Sequence, residues 1–423
     1  MMLAVDEPIA LGPFQVSLAT TRLLRDGVEL ELRPRAFRAL KVLIQNPGRL
    51  VDYQQMIQEA WDGVHVSKHT IAVTIGELKH VLGEYGAWIN CQPKFGYRLE
   101  IPQSEVLIRR GWHFWNQCTL AGYDNALRCF QEAAAADGAD FRALEGISST
   151  YLMLAGFLMR PPRDIFRPFL EAHRRAVALC GLTPELRIDR GFARFVFERN
   201  VAGAESELLA IERERPNSAH LCVCLSLVFL GSGRIDEARV WMHRAQATEA
   251  LSPELAFLGI VVRLFGREFT AAVEWGKSTL DLHPASQVGR AFYADALDYA
   301  GQAEEALAQY RFASDFAPDI LWIRADEARC LALHGRAAKA AAILADLQRI
   351  RENHYVDAYH VALLLEALGK HEEAFRELAR ADEENSYALL FAALDAKADG
   401  LRSDPRCTHF LNRIFVLSHS AAS

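Results

Sequence analysis

Polar side chains suited to binding another molecule are concentrated between residues 67 and 98. A helix predicted over residues 67–82 carries Lys, His and Thr side chains on one side, and the hairpin after it adds Lys94 and Arg98. Such side chains donate hydrogen bonds to phosphate oxygens and to base edges. The sequence lacks the motifs GxxxxGK[ST], GxSxG, HExxH and GxGxxG. We therefore expect recognition and no enzymatic activity, and predict neither a cofactor nor a metal site.

The composition describes an ordinary globular protein with room for more than one core. The chain has 423 residues, of which 51% are hydrophobic and 24% charged. Its formal net charge is −7, and residues 1–102 contain eleven basic and eleven acidic residues. The longest apolar run, near residues 221–230, is too short to cross a bilayer, and residues 1–10 lack a basic leader. Eight cysteines without a CxxC pair suit a reducing compartment, so we predict a cytoplasmic protein without membrane contact.

The elements that position the polar cluster begin with short strands. The pattern predicts strands at residues 14–16, 22–24 and 28–32, with a tight turn at Asp26-Gly27 between the last two. A first helix starts at Pro34, a second covers about residues 53–61, and both end at turn-forming residues.

The third helix is predicted to begin after Ser67 and to end before Gly83, because a serine N-cap and a glycine C-cap delimit it. The residues of its predicted buried stripe are Ile71, Ile75, Leu78 and Leu82. The residues of its opposite face are His69, Val73, Gly76 and His80. A hairpin over residues 88–99 follows, with Lys94 at its tip.

The layout of three helices and a hairpin resembles the OmpR/PhoB-type winged-helix family of bacterial transcription factors. The residues that carry the resemblance are Asn46-Pro47-Gly48-Arg49-Leu50-Val51, Trp61, Val66-Ser67, Thr70, Ile75, Leu78-Lys79, Leu82-Gly83 and Gly96-Tyr97-Arg98-Leu99. Pro93-Lys94 looks most like the ToxR/CadC branch. The resemblance implies that double-stranded DNA is the partner, with the third helix in the major groove and the hairpin in the adjacent minor groove.

The candidate DNA-contacting residues follow from this placement. They are Lys68, His69, Thr70, Thr74, Glu77, Lys79, His80, Lys94 and Arg98. The family usually has basic residues where this sequence has Gly76 and Glu77, although a glutamate can accept from a cytosine amino group. Together with the neutral charge of residues 1–102, this departure leaves an alternative open, namely a scaffold protein whose degenerate winged helix no longer binds DNA.

The remainder of the chain is a repeat. Five glycines recur at intervals of 33, 35, 34 and 34 residues, and an alanine follows each one five residues later. The glycines are Gly233, Gly266, Gly301, Gly335 and Gly369, and the alanines are Ala238, Ala271, Ala306, Ala340 and Ala374. Glycine suits a tight turn between two helices, and alanine lets helices approach closely. The pattern resembles tetratricopeptide repeats, with eight or nine helical hairpins.

The predicted fold is therefore mainly α. A winged helix-turn-helix (α+β) occupies residues 10–102, a tetratricopeptide-repeat α-solenoid residues 106–400, and a C-terminal cap and tail residues 401–423. The predicted function is a one-component transcriptional regulator. Solenoids present a concave groove, and the resemblance implies that this one binds a protein or peptide partner or a second copy of the chain.

Overall fold

The computed structural model describes residues 9–25, 27–216, 218–248 and 253–420. The chain divides into two compact units, residues 1–109 and 110–423, which are described separately. The predicted turn residue Asp26 lies outside the described residues, as do residues 421–423 of the predicted tail.

The first unit begins with a four-stranded antiparallel sheet in the order β1-β2-β3-β4. Its strands are β1 (Ile9–Leu11), β2 (Phe14–Ser17), β3 (Arg22–Arg25) and β4 (Val28–Leu30). The three predicted strands are confirmed. The sequence did not predict β1, because three residues are too few to show an alternating pattern.

Three helices and a second sheet complete this unit. The helices are α1 (Pro34–Gln45), α2 (Tyr53–Ala60) and α3 (Lys68–Leu82). The strands of the second sheet are β5 (Leu50–Asp52), β6 (Ile89–Gln92) and β7 (Gly96–Leu99), in the antiparallel order β5-β7-β6. A 3₁₀ helix (Gly83–Trp88) joins α3 to β6. The two sheets and three helices enclose one apolar core, to which the predicted stripe Ile71, Ile75, Leu78 and Leu82 belongs.

The second unit is a succession of helices that pack as neighbours in sequence. They are α4 (Gln103–Trp115, which begins in the first unit), α5 (Leu120–Ala136), α6 (Phe141–Gly156), α7 (Pro162–Cys180), α8 (Pro184–Val196), α9 (Val201–Glu214), α10 (Ala219–Gly231), α11 (Ile235–Thr248), α12 (Pro253–Phe265), α13 (Phe269–Leu282), α14 (Gln287–Tyr299), α15 (Ala303–Phe316), α16 (Leu321–Leu333), α17 (Ala337–Ile350), α18 (Ala358–Ala367) and α19 (His371–Glu383). Within the described residues these helices form eight pairs, from α4/α5 to α18/α19.

The turn inside each repeat is set by one residue in the left-handed region. Gly233, Gly301, Gly335 and Gly369 adopt φ values of 77°, 80°, 75° and 73°. At the second repeat the left-handed residue is Arg267, with φ of 60°, and not the predicted Gly266. With Arg267 as the turn residue of the second repeat, all four intervals are 34 residues. The unequal intervals in the sequence pattern arose because Gly266 precedes the residue that forms the turn.

The alanine series needs the same correction. Ala238, Ala306, Ala340 and Ala374 are fully buried, as predicted. In the second repeat Ala272 is fully buried, whereas the predicted Ala271 is only half-buried. The register of this repeat is therefore displaced by one residue from the prediction, for both its turn and its small buried residue.

The C-terminal part departs from the helix pairs. Two short 3₁₀ helices, Tyr387–Phe391 and Ala396–Ala398, follow α19 and lead into α20 (Asp399–Arg402) and α21 (Pro405–Ser420). No helix among the described residues is both long and apolar enough to cross a membrane.

Candidate nucleic-acid interface

Helix α3 has one buried and one exposed side, as its sequence pattern predicts. The Ser67 side chain accepts a hydrogen bond from the Thr70 backbone N–H and caps the helix, and Gly83 ends it with φ of 60°. The residues opposite the buried stripe, which are His69, Val73, Gly76 and His80, are all exposed. The face centres on an apolar side chain, since Val73 is 57% exposed, and on bare backbone at Gly76, where a Cβ would meet nothing within 4 Å.

Polar residues at the start of α3 are held by local contacts. The Thr74 hydroxyl donates to the Thr70 carbonyl at 3.0 Å, and the Thr70 and Ser67 hydroxyls lie 3.0 Å apart. The Lys68 ammonium lies 4.7 Å from the centre of the Tyr53 ring, a cation–π contact. Each hydroxyl that donates within the helix retains acceptor capacity for an outside partner.

Two predicted residues of α3 are less available. Glu77 is half-buried, and its carboxylate lies 3.4 Å from the Arg33 guanidinium, which is largely exposed. The acidic charge that counts against DNA binding is therefore compensated by a basic residue that the prediction missed. Lys79 is also half-buried, because the 3₁₀ helix covers its turn of α3 so closely that a Cβ on Gly86 would collide with the Lys79 backbone.

The hairpin of β6 and β7, here called the wing, presents Lys94 and Phe95 at its tip. Both are exposed, and Lys94 adopts the left-handed φ of 75°. Gly96, with φ of 155°, lets β7 approach β5, because a Cβ there would collide with the Val51 carbonyl oxygen. This close approach fixes the tip end of β7 to β5.

Arg98 is committed to the wing itself. Its guanidinium lies 3.1 Å from the Glu100 carboxylate, and Glu100 also accepts a hydrogen bond from the Asn90 side chain at 2.7 Å. The side chain is half-buried, so a contact with phosphate would require it to exchange partners. Of the predicted wing residues, Lys94 is the better placed.

Tyr53 links the two parts of the predicted site. Its ring lies against Lys68 at the start of α3, and its backbone N–H donates to the Phe95 carbonyl at the wing tip at 3.3 Å. A ring contact with Tyr97, 6.1 Å between centres, adds to this link. The structure thus brings the beginning of α3 and the wing tip to the same side of the domain. The sequence pattern gave no signal for Tyr53, because its role depends on a contact between distant segments.

A second group of basic residues is bound up in ion pairs. Arg35 and Arg38 of α1 both contact Asp62, and their hydrogen bonds, that of Arg38 foremost, hold the pKa of this carboxyl below its usual range. This cluster connects the start of α1 to the turn after α2. The exposed basic residues at the edges of the α3 and wing surface are Lys68, Lys94 and Arg33, the last of which also contacts Glu77.

Comparison with known proteins shows which family the first unit resembles. Residues 27–99 match the family described as "Transcriptional regulatory protein, C terminal". These residues form a winged helix of the OmpR/PhoB type. The match spans α1, α2, α3 and the wing, so it contains every residue of the predicted site.

The relatives of this winged helix are transcriptional regulators. The transcriptional regulatory protein CutR of Streptomyces coelicolor is 33% identical over 78 residues, which cover 18% of this chain and 36% of CutR. The transcriptional activator CadC of Escherichia coli is 26% identical over 103 residues, 23% of this chain and 20% of CadC. The chain thus spans well under half the length of these relatives. Family and relatives together support a DNA-binding regulator.

The helical region resembles tetratricopeptide-repeat proteins. The structure of a monomeric IFIT1 mutant with Gppp-AAAA aligns over 82% of this chain and 86% of the IFIT1 chain, at 16% identity and a TM-score of 0.50. At this identity the similarity shows a shared fold alone. A tetratricopeptide-repeat protein of Thermus thermophilus aligns over 46% of this chain and 98% of its own, at 24% identity and a TM-score of 0.39.

One cluster in the second unit has the residue types of a metal site. Ligand atoms of Asp298, Cys330 and His334 lie within 4.8 Å of one another. Asp298 already accepts hydrogen bonds from Arg329 at 2.9 Å and from His334 at 2.7 Å. Burial, reinforced by Asp298, raises the pKa of the Cys330 thiol, whereas a metal needs the thiolate. The cluster is better explained as an ion-pair network around the buried Asp298 than as a metal site.

Proposed function

We propose that this chain is a transcriptional regulator that binds operator DNA through α3 and the wing. Helix α3 enters the major groove, and the wing tip follows the neighbouring minor groove. The observation that carries the proposal is the common side shared by the exposed start of α3 and the wing tip, within a domain of the regulator family.

The residues divide by the part of DNA that they meet. His69, Thr70, Thr74 and His80 contact base edges or nearby phosphates, and Val73 packs on a thymine methyl group. Lys68, Lys79 and Lys94 bind phosphates. Glu77 keeps Arg33 in position and is available to a cytosine amino group, while Arg98 chiefly stabilises the wing.

The helical unit supplies regulation and no catalysis in this proposal. It binds a protein or peptide partner, or a second copy of the chain, and so raises the occupancy of DNA sites through avidity. Because the winged helix must reach chromosomal DNA, we propose that the protein acts in the cytoplasm.

A scaffold protein without DNA binding is the second candidate. Its support is the centre of the exposed α3 face, where Val73 and Gly76 supply no charge or hydrogen-bond donor. A scaffold would use this apolar face to contact protein.

Selection from a random-sequence duplex library by the purified full-length chain separates the two candidates. The wild type is compared with a His69→Ala/Lys94→Gly variant and with Lys339→Ala, which removes an exposed charge from α17. We expect the wild type and Lys339→Ala to enrich the same motif and the double variant to lose it. Enrichment by all three would refute the assigned contacts, and no enrichment by a folded wild type would favour the scaffold.

A further inference from the structure

The helix pairs of the second unit enclose a pocket of about 670 Å³. Residues from α6, α8, α10, α12, α14, α16 and α18, the first helices of successive pairs, line it together with the ends of α4 and α5. Its volume lies within the range of about 300–1,000 Å³ that is usual for small-molecule sites.

The C-terminal 3₁₀ segments form one wall of this pocket and contact helices α6, α8 and α12. The Tyr387 hydroxyl donates to the Gly156 carbonyl, and Phe391 packs against Phe195 and Phe265. The Trp322 indole N–H donates to the Phe157 carbonyl at 3.0 Å, which joins α16 to the end of α6. These contacts interrupt the space that a long extended peptide would need along the first helices.

The charged groups in the wall are satisfied by one another. The Lys397 ammonium lies 3.1 Å from Asp295 and 2.7 Å from Asp326. His360 contacts Asp357 at 2.8 Å, and Asp395 accepts from the Tyr359 hydroxyl at 3.0 Å. A charged ligand would lose its hydration on entering this largely apolar wall and would disturb these buried hydrogen bonds and ion pairs, so the wall favours an uncharged one.

The rest of the wall is rich in aromatic rings, among them those of Phe192, Phe257 and Phe292.

We propose that this pocket binds an uncharged, ring-containing small molecule that packs against its aromatic side chains. All of its lining residues belong to the helical unit, and, resting on the proposed function, the pocket is an effector site of the regulator.

The test uses N-phenyl-1-naphthylamine, an uncharged aromatic probe with one N–H donor whose fluorescence rises in apolar surroundings. It is titrated into the full-length chain and into the pocket-filling variants Leu227→Trp and Val223→Phe. Leu333→Trp and Leu282→Trp serve as matched controls, because these leucines are exposed and do not line the pocket. Circular dichroism verifies that each variant is folded, and two filling variants guard against the failure of one.

We expect saturable binding of one probe per chain, unchanged in the controls and at least tenfold weaker in each folded filling variant. Binding that does not saturate, or that the filling variants leave unchanged, would overturn the proposal. A dimer in analytical ultracentrifugation that the filling variants dissociate, with no probe binding, would assign the pocket to a second copy and would also overturn it.

Discussion

In the proposed DNA complex, Gly76 and Val73 occupy the exposed part of α3 that faces the base edges. Arginine or lysine at these positions would add charge and read guanine, whereas a branched apolar side chain reads the thymine methyl group and a bare backbone lets the helix approach closely. The basic residues nearby lie at the edges of this surface: Lys68 lies against the Tyr53 ring, and Lys94 precedes Phe95, whose carbonyl accepts from the Tyr53 backbone N–H. Affinity and specificity are therefore assigned to different residues.

The first prediction concerns Gly76→Ala. Since a Cβ at this helical position meets nothing within 4 Å, the substitution should stabilise the domain by about 0.5–1 kcal/mol. If α3 lies in the groove, the added methyl group should nevertheless weaken DNA binding. Denaturant unfolding and a DNA titration measure the two effects on the same preparation. A stabilised variant with unchanged DNA affinity would remove Gly76 from the interface.

The second prediction concerns Lys94→Gly. Glycine accepts the left-handed φ of 75° at the wing tip, so the substitution removes the charge without straining the turn. We expect weaker binding to all duplexes and a salt dependence reduced by about one in the log–log slope. Lys339→Ala is the matched control for loss of one charge. An unchanged slope would show that Lys94 does not contact phosphate.

The repeat elements illustrate which features a sequence can reveal. The 34-residue interval predicted the helix pairs, because the turn and the small buried residue recur in every repeat. It predicted the wrong turn residue in the second repeat, where Gly266 fits the pattern but Arg267 adopts the left-handed conformation. The Arg267 guanidinium contacts Asp399 through two bonds of 2.7 Å, a long-range pair that a local pattern cannot indicate.

The third prediction tests the turn position. Gly301→Ala places a Cβ at φ of 80° and should destabilise the helical unit by about 1–2 kcal/mol. Gly138→Ala is the control, since its backbone is not left-handed and its Cβ would make only an ordinary contact of 3.9 Å. The measurement is urea unfolding followed by circular dichroism. Equal effects of the two substitutions would show that the left-handed turn imposes no requirement for glycine.

In the winged helix as well, the sequence predicted features that neighbouring residues determine and missed those that depend on contacts between distant segments. Capping residues and the buried stripe predicted α3, including its limits at Ser67 and Gly83. Strand β5 was not predicted, because three residues gain their strand character only from pairing with β7. The link through Tyr53 and the pairing of Glu77 with Arg33 were missed for a similar reason, since both join segments that are far apart in sequence.

The buried charged groups of the second unit make its stability depend on pH. Burial alone would lower the pKa of His360, but the Asp326 and Asp357 carboxylates outweigh it and raise that pKa above 6.5, although Lys397 opposes them. The folded chain therefore keeps this proton to higher pH than the unfolded chain does. The stabilisation is complete below pH 6.5 and is lost as the pH rises through the folded-state pKa.

The fourth prediction is a pH-dependent cost of His360→Gln. At pH 6.5 the variant should be less stable by about 3–5 kcal/mol, because two buried carboxylates lose a cationic partner. The difference should shrink as the pH rises to 8.5. Burial raises the pKa of Asp295 to about 6. The titration of Asp295 therefore affects stability mainly below pH 6.5 and does not obscure the comparison between pH 6.5 and pH 8.5. A difference independent of pH would show that His360 is neutral in the folded chain.

Sequence-specific DNA recognition is measured by the affinity of the full-length chain for an enriched duplex and for its shuffled counterpart at the same salt concentration. We predict that the enriched duplex binds about 10³-fold more tightly or better, as specific sites do. Equal affinity for both duplexes would show that the surface of α3 and the wing attracts DNA without reading it. Such equal affinity would contradict the proposed function.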